Sequence, residues 1–166
     1  MRFALLLCCA VLLSSCRSSD KGNTAVPGKD SGGAPVVAQG PAPAASASLH
    51  FINSYCAYCT DTSVTKGSPE EWLDKCALVS DSFRQAYRAL FNAEEGLEYD
   101  PILVAQDLPD TVFRVVRYDS VSHYVRVAGV SDSTFAIVLR PALQNGKWVV
   151  DGAGDVNIPE EQRIKR

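Results

Sequence analysis

Along residues 49–90 the apolar positions recur at intervals of three and four, and after residue 110 the period switches to two. The change divides the chain into a helical part and a strand part. Phe51, Ile52, Tyr55, Tyr58 and Cys59 form one apolar stripe, which predicts a helix over residues 49–58. Residues 60–67 are polar and turn-like. Ser68-Pro69-Glu70-Glu71 then reads as a helix start. Ser stands at the N-cap, Pro at the first helical position, where its missing N–H matters least, and Glu at the third, able to reach back to the cap. From there Trp72, Cys76, Val79, Phe83, Tyr87 and Leu90 step by four, three, four, four and three. That is one long amphipathic helix ending before Gly96, with Ser80-Asp81 as the point where it breaks and is recapped. Asp100-Pro101 is a further cap, opening a short turn of helix through residues 102–105.

Four β-rich runs follow, at residues 112–118, 124–130, 135–139 and 148–150, separated by short turn segments. Links this short pair neighbouring strands antiparallel. Asn145-Gly146 is a tight-turn dipeptide that needs positive φ. Helices first and strands afterwards predict an α+β domain, its N-terminal helices packed on one face of a curved antiparallel four-stranded meander.

The N-terminus has a different pattern. After Met1-Arg2, residues 3–13 (FALLLCCAVLL) are eleven apolar residues without charge. This suits a secretory signal core of about 7–15 residues and falls short of the roughly 20 a membrane span needs. Leu13-Ser14-Ser15-Cys16 resembles the lipobox of bacterial lipoproteins. The resemblance implies a signal peptide of residues 1–15, a diacylglyceryl (and palmitate) modification of Cys16, and Cys16 as the new N-terminus. With Arg17 rather than Asp after the cysteine, it also implies sorting to the outer membrane of the cell envelope, facing the periplasm or the cell surface. One acyl chain anchors only marginally, at about 0.8 kcal/mol per buried CH₂; the two or three of a lipoprotein hold it.

Of the 32 residues from Arg17 to Ser48, 21 are Gly, Ala, Ser or Pro, and none is aromatic. Such a composition buries too little to offset the entropy of ordering. Residues 16–48 are therefore expected to be a lipidated tether, roughly 30 Å long as coil and up to about 100 Å as polyproline II. Residues 49–166 make a single domain. Removing residues 1–48 takes four Lys/Arg and two Asp/Glu from totals of 16 and 19, leaving 12 against 17, or −5. An acidic domain without a basic stripe argues against nucleic acid as a partner.

Cys56, Cys59 and Cys76 are the cysteines of the folded part, in a compartment where disulfides persist. A bridge from Cys76 to Cys56 or Cys59 would contribute about 3 kcal/mol in the chain-entropy account. The Cys56-Ala-Tyr-Cys59 spacing is that of a redox pair but lies in a helix with no strand before it. No metal or organic cofactor is implied.

Tyr99-Asp100-Pro101 running into Ala105-Gln106-Asp107 and Pro109, together with Gly146-Lys147-Trp148-Val149-Val150-Asp151-Gly152, Gly154 and Ile158-Pro159, resembles a family of uncharacterised bacterial lipoproteins. That family has a cone-shaped domain like nuclear transport factor 2, a cystatin-like helix-on-sheet arrangement. The resemblance implies a pocket between helix and sheet, which in some relatives is catalytic through paired Asp, His and Tyr, and dimerisation through the sheet. Asp100, Gln106, Asp107 and His123 are the candidate pocket residues, with Asp110 and Asp151 nearby in type; a carboxylate beside a His is what acid–base chemistry needs. Each also has a plain structural role open to it, Asp100 as a cap and His123 as a surface residue. Arg114, Arg117, Tyr124 and Arg126 are candidate docking residues, since Arg and Tyr anchor interfaces. Under strict alternation Arg114 shares a face with Val116, and Arg117 with Val115. The expected function is an outer-membrane-anchored lipoprotein with a non-enzymatic domain binding a protein or small molecule. Alternatives are an immunity or inhibitor protein against an envelope toxin or lytic enzyme, and a small pocket enzyme.

Overall fold

A computed structural model describes residues 42–92, 97–108 and 112–165. The signal segment, Cys16, the tether up to residue 41, Gly96, Pro109 and Asp110 lie outside the described residues. The elements are α1 (Pro43–Thr60), α2 (Pro69–Lys75), α3 (Asp81–Phe91), β1 (Phe113–Tyr118), β2 (Val125–Gly129), β3 (Ala136–Gln144) and β4 (Lys147–Ala153). The strands form one antiparallel meander in the order β1-β2-β3-β4. The α+β reading of the sequence agrees with this architecture.

α1 begins at Pro43, not at residue 49, so residues 43–48 belong to the folded domain and not to the tether. Proline is pre-set for a first helical turn, and alanine is the best helix former. Ala44, Ala45 and Ser48 are buried, and the Ser48 hydroxyl donates to the Ala44 carbonyl at 3.0 Å. A composition that reads as spacer is here a small-residue helical face. α1 packs against all four strands. Phe51, Ile52 and Tyr55 are fully buried with Leu73, Phe83, Ile102 and Leu103 and with Val125, Val127, Ile137, Leu139 and Val150 of the sheet. Each large apolar side chain so buried stabilises the fold by about 1.5–3 kcal/mol.

The long helix does break where its cap residues stand. α2 starts in the expected capping box: Glu71 N–H donates to Ser68 Oγ at 3.2 Å and Ser68 N–H to Glu71 Oε2 at 3.4 Å. It ends at Cys76, and Ser80 recaps α3 by accepting from Phe83 N–H at 2.9 Å. In the gap Val79 bridges Val150 in parallel, with Val150 N–H to Leu78 O at 2.7 Å and Ser80 N–H to Val150 O at 3.0 Å. The free edge of β4 thus takes the inter-helix segment as a partner, which satisfies backbone groups a continuous helix would leave unpaired. Arg84 closes the break, donating to Leu73 O at 3.0 Å and Cys76 O at 2.7 Å and pairing with Asp81 at 2.7 Å.

Asp100 is a cap, yet no helix grows from it. Its Oδ1 accepts from Ile102 and Leu103 N–H, both at 2.8 Å, and the turn closes with Asp100 N–H to Ala105 O at 2.9 Å. Val104 sits at φ +52°, left-handed backbone that stops propagation. The other carboxylate oxygen accepts from the buried Tyr55 hydroxyl at 2.6 Å. Burial, and then the Asp100 charge, push the Tyr55 pKa far above its ordinary value, so it stays a neutral donor.

Asn145 and Gly146 turn at φ +51° and +76°, as their type demands. β3 runs past Pro141 because a bulge at Arg140/Pro141 removes the need for its N–H. Gly154, at φ +60°, lies so close to residues 101–102 that a Cβ would come within 2.4 Å of the Pro101 and Ile102 carbonyl oxygens. Asp155 N–H donates to Pro101 O at 2.8 Å, and Tyr99 Oη donates to Asp155 Oδ2 at 2.8 Å. The two family-like segments therefore pack on each other.

Asp151 joins α3 to the sheet: Ser80 Oγ donates to its Oδ1 at 2.5 Å and Arg140 Nη2 to its Oδ2 at 2.7 Å. Ser80→Ala removes the α3 cap and leaves the half-buried Asp151 short of a donor. The expected loss is about 1–3 kcal/mol, read as a lower urea midpoint with an unchanged denaturant slope.

Candidate anion-binding surface

The four candidate pocket residues do not form an acid–base set. Gln106 and Asp107 are exposed. His123 is exposed on the β1–β2 turn at φ +60°. Its Nδ1 lies 3.0 Å from the Tyr118 hydroxyl, with ring contacts to Tyr118 and Trp148 at 6.4 and 5.5 Å between centroids. Its partner is a phenol, not a carboxylate. Asp100 and Gln106 share a shallow hollow of about 260 Å³ with Pro69, Tyr87 and Phe91, but both Asp100 oxygens already accept structural hydrogen bonds. The inner face of the sheet, where the family likeness implies a pocket, is filled by Ile52, Tyr55, Val127 and Leu139, all at 0% exposure. Among the described residues no three His, Cys, Asp or Glu are grouped as a metal site requires.

Nor is the expected disulfide formed: Cys56, Cys59 and Cys76 are free thiols. Cys56 and Cys59 share a neighbourhood with each other and Asp100, whereas Cys76 lies beside Leu78 and Arg84 at the end of α2. Burial pushes the Cys56 thiol up from 9.0 to about 12 and Cys59 up from 9.0 to about 11. A redox or nucleophilic pair needs the opposite shift.

The docking residues converge. Arg114 stands opposite Ala128, and Arg117 opposite Arg126. Residues 126 and 128 lie on one face of β2, so Arg114 and Arg117 share that face. Strict alternation predicts the reverse. The difference is a bulge between Val115 and Arg117, which inserts one residue and inverts the parity of everything after it. The face is the outer one, away from α1. There Arg117 and Arg126 form a directly opposed pair of like charges. Seven arginines fall among the described residues. Arg84, Arg88, Arg140 and Arg163 are ion-paired. Arg114, Arg117 and Arg126, all exposed and all on this face, have no ion pair among the described residues.

Between Arg117 and Arg126 lies a hollow of about 260 Å³, lined also by Ser122, Tyr124 and Val138 and by the C-terminal segment at Gln162, Arg163 and Ile164. Arg163 is occupied: it donates to Ile158 O at 2.8 Å and to Asp155 O at 3.2 Å, and pairs with Asp155 at 3.3 Å. Asp119 also borders the hollow. Its pKa is lowered first by the Val121 N–H, then by Ser122, and least by Arg117. The turn N–H groups hold that carboxylate beside the hollow, with Arg117 near enough to add to the lowering. Sequence reading found Arg117, Tyr124 and Arg126 but missed the turn residues and the C-terminal wall. Asp119-x-x-Ser122 is a local turn signal; the return of residues 162–164 to this face has none.

No model of a protein family matches the chain, and no curated protein sequence does. The chain is similar in structure to a protein of unknown function from Bacteroides thetaiotaomicron, solved in the crystal at 2.10 Å resolution. The likeness has a TM-score of 0.50 at 18% identity and covers 66% of this chain and 87% of the other. At that identity it speaks for the α+β fold alone.

Like charges directly opposite on neighbouring strands oppose folding. Arg126→Gln is therefore expected to stabilise the domain by about 0.2–1 kcal/mol, more at low salt than at high, read as a raised melting temperature in both buffers. The thiols give a pH dependence. Their folded pKa values are raised, so this contribution is present below pH 9.0 and is lost as pH rises toward about 11 to 12, because the unfolded chain releases its protons first. The melting temperature is expected to fall between pH 8 and pH 11, and to fall less steeply in Cys56→Ala.

Proposed function

We propose that this chain is an envelope lipoprotein whose folded domain is a non-enzymatic binding module. In this reading Cys16 carries the lipid, the residues before Pro43 are the tether, and the domain is a nuclear transport factor 2-like cone of the uncharacterised lipoprotein family. It is held at the outer membrane, where the tether gives it reach. The binding surface is the outer sheet face, and its partner is an acidic protein or an anionic small molecule.

The observation that carries the reading is the set of three arginines on one exposed face that have no ion pair among the described residues, in a domain whose other described arginines are all ion-paired. A domain of net charge −5 has carboxylates enough to pair them (12 basic against 17 acidic residues over 49–166). Leaving them unpaired keeps a docking surface free. A catalytic reading has less behind it, since the His123 ring meets the Tyr118 phenol and no carboxylate among the described residues.

The anchor and the surface are tested together in the full-length chain, expressed in a bacterium that processes lipoproteins. The expected outcome is radiolabelled palmitate on the wild type and none on Cys16→Ala, which is released from the membrane fraction. Arg114, Arg117 and Arg126 changed together to Ala should keep the label but no longer retain the envelope partner that the wild type holds in salt-sensitive fashion. An unlabelled wild type overturns the anchor; a triple variant that binds as the wild type does overturns the surface.

A further inference from the structure

We infer that the hollow between Arg117 and Arg126 is a site for a single carboxylate carried on a short aliphatic body. Such a group is found at the C-terminal residue of a peptide and in a small branched-chain acid. The inference deepens the binding-module reading and rests on it for the identity of the surface.

Directly opposed residues on antiparallel strands have Cβ atoms about 4.5–5.5 Å apart. The two arginines stand opposite each other on neighbouring strands and line one hollow. The bulge at Val116 makes this possible: without it Arg117 would stand on the core face beside Val115. Bulges often re-aim a side chain in this way. Planar guanidinium donors match the two oxygens of a carboxylate, and Ser122 and Tyr124, both hydroxyl-bearing, also line the hollow.

Local charge chooses between the common oxyanions. Arg163 is neutralised by Asp155. Arg117 and Arg126 against Asp119 leave one net positive charge around the hollow. That balance suits a monoanion; a phosphate dianion would meet the Asp119 carboxylate. Size and lining supply the rest. A volume of about 260 Å³ lies below the 300–1,000 Å³ of drug-sized sites, so the occupant has few heavy atoms. Val138 and Ile164 offer it an apolar floor and wall, suited to a short aliphatic chain.

The test uses the full-length chain in detergent with labelled methyl groups, followed by NMR. The probes are N-acetylleucine, its uncharged amide, inorganic phosphate, and an acetylated tetrapeptide ending in leucine. The site predicts saturable shifts at the Val138 and Ile164 methyls with N-acetylleucine, and binding of the amide weaker by about tenfold or more. Tighter binding of the tetrapeptide than of N-acetylleucine assigns the site to a chain terminus; equal binding assigns it to a free small acid. Arg126→Gln, with its remaining methyl spectrum unchanged, should weaken N-acetylleucine about tenfold or more, while Arg114→Gln, which does not border the hollow, should not. Equal binding of acid and amide, tighter binding of phosphate, or no saturable shift with any probe would sink the inference. None of these results bears on palmitate labelling or on capture of a partner by the wider arginine face, so the two readings fail separately.

Discussion

Phe51, Ile52 and Tyr55 lie on one stripe of α1 and are cut off from solvent on every side. Phe51 meets Phe83 of α3 edge-on at 5.6 Å, and Tyr55 meets Trp72 of α2 edge-on at 5.5 Å. The same helix packs against all four strands. A single helix is thus the common wall of two helices and a sheet. α2, of seven residues, is too short to hold its shape alone, and without α1 the meander would expose its apolar inner face. The early start of α1 follows from the same demand. Ala44, Ala45 and Ser48 extend the covered face, and small side chains let the helix lie close to the strands.

Around that wall several polar groups join distant segments. Tyr55 carries a hydroxyl into the core and must find an acceptor there; Asp100 provides it and, with its second oxygen, ties two backbone N–H groups of its own turn. The chain end then crosses that turn where only glycine fits, and Asp155 binds it through Tyr99 and the Pro101 carbonyl. Asp151 does the same work between α3 and β4. Asp100 and Asp151, acid–base candidates by type, thus have both carboxylate oxygens engaged in structural hydrogen bonds.

The outer face follows another logic. There the fold accepts a local conflict, two arginines opposed across strands without an ion pair among the described residues, while it neutralises its other described arginines. Consistency between local choices and the whole is the rule in natural sequences, and its breaches gather at functional places. The conflict here sits beside a bulge on one strand and a hollow lined by the chain's own C-terminal segment.

Much of the domain could be read in the sequence because its determinants are local. A period of three and four is helix, a period of two is strand, Ser68 and Ser80 are caps, and Asn145-Gly146 is a turn. Each signal depends on neighbours a few residues away, and each is present in the structure. What tertiary structure alone decided depends on groups distant in the chain. Whether residues 43–48 coil or fold depends on a surface waiting to cover them. Whether three cysteines meet depends on where α2 ends relative to α1. Arg117 gives the clearest instance. Alternation assigns it to the core face, and a one-residue bulge, visible only once β1 is paired with β2, assigns it to the other. Strand pairing is a property of two segments, so the face on which a charge emerges cannot be read from one of them.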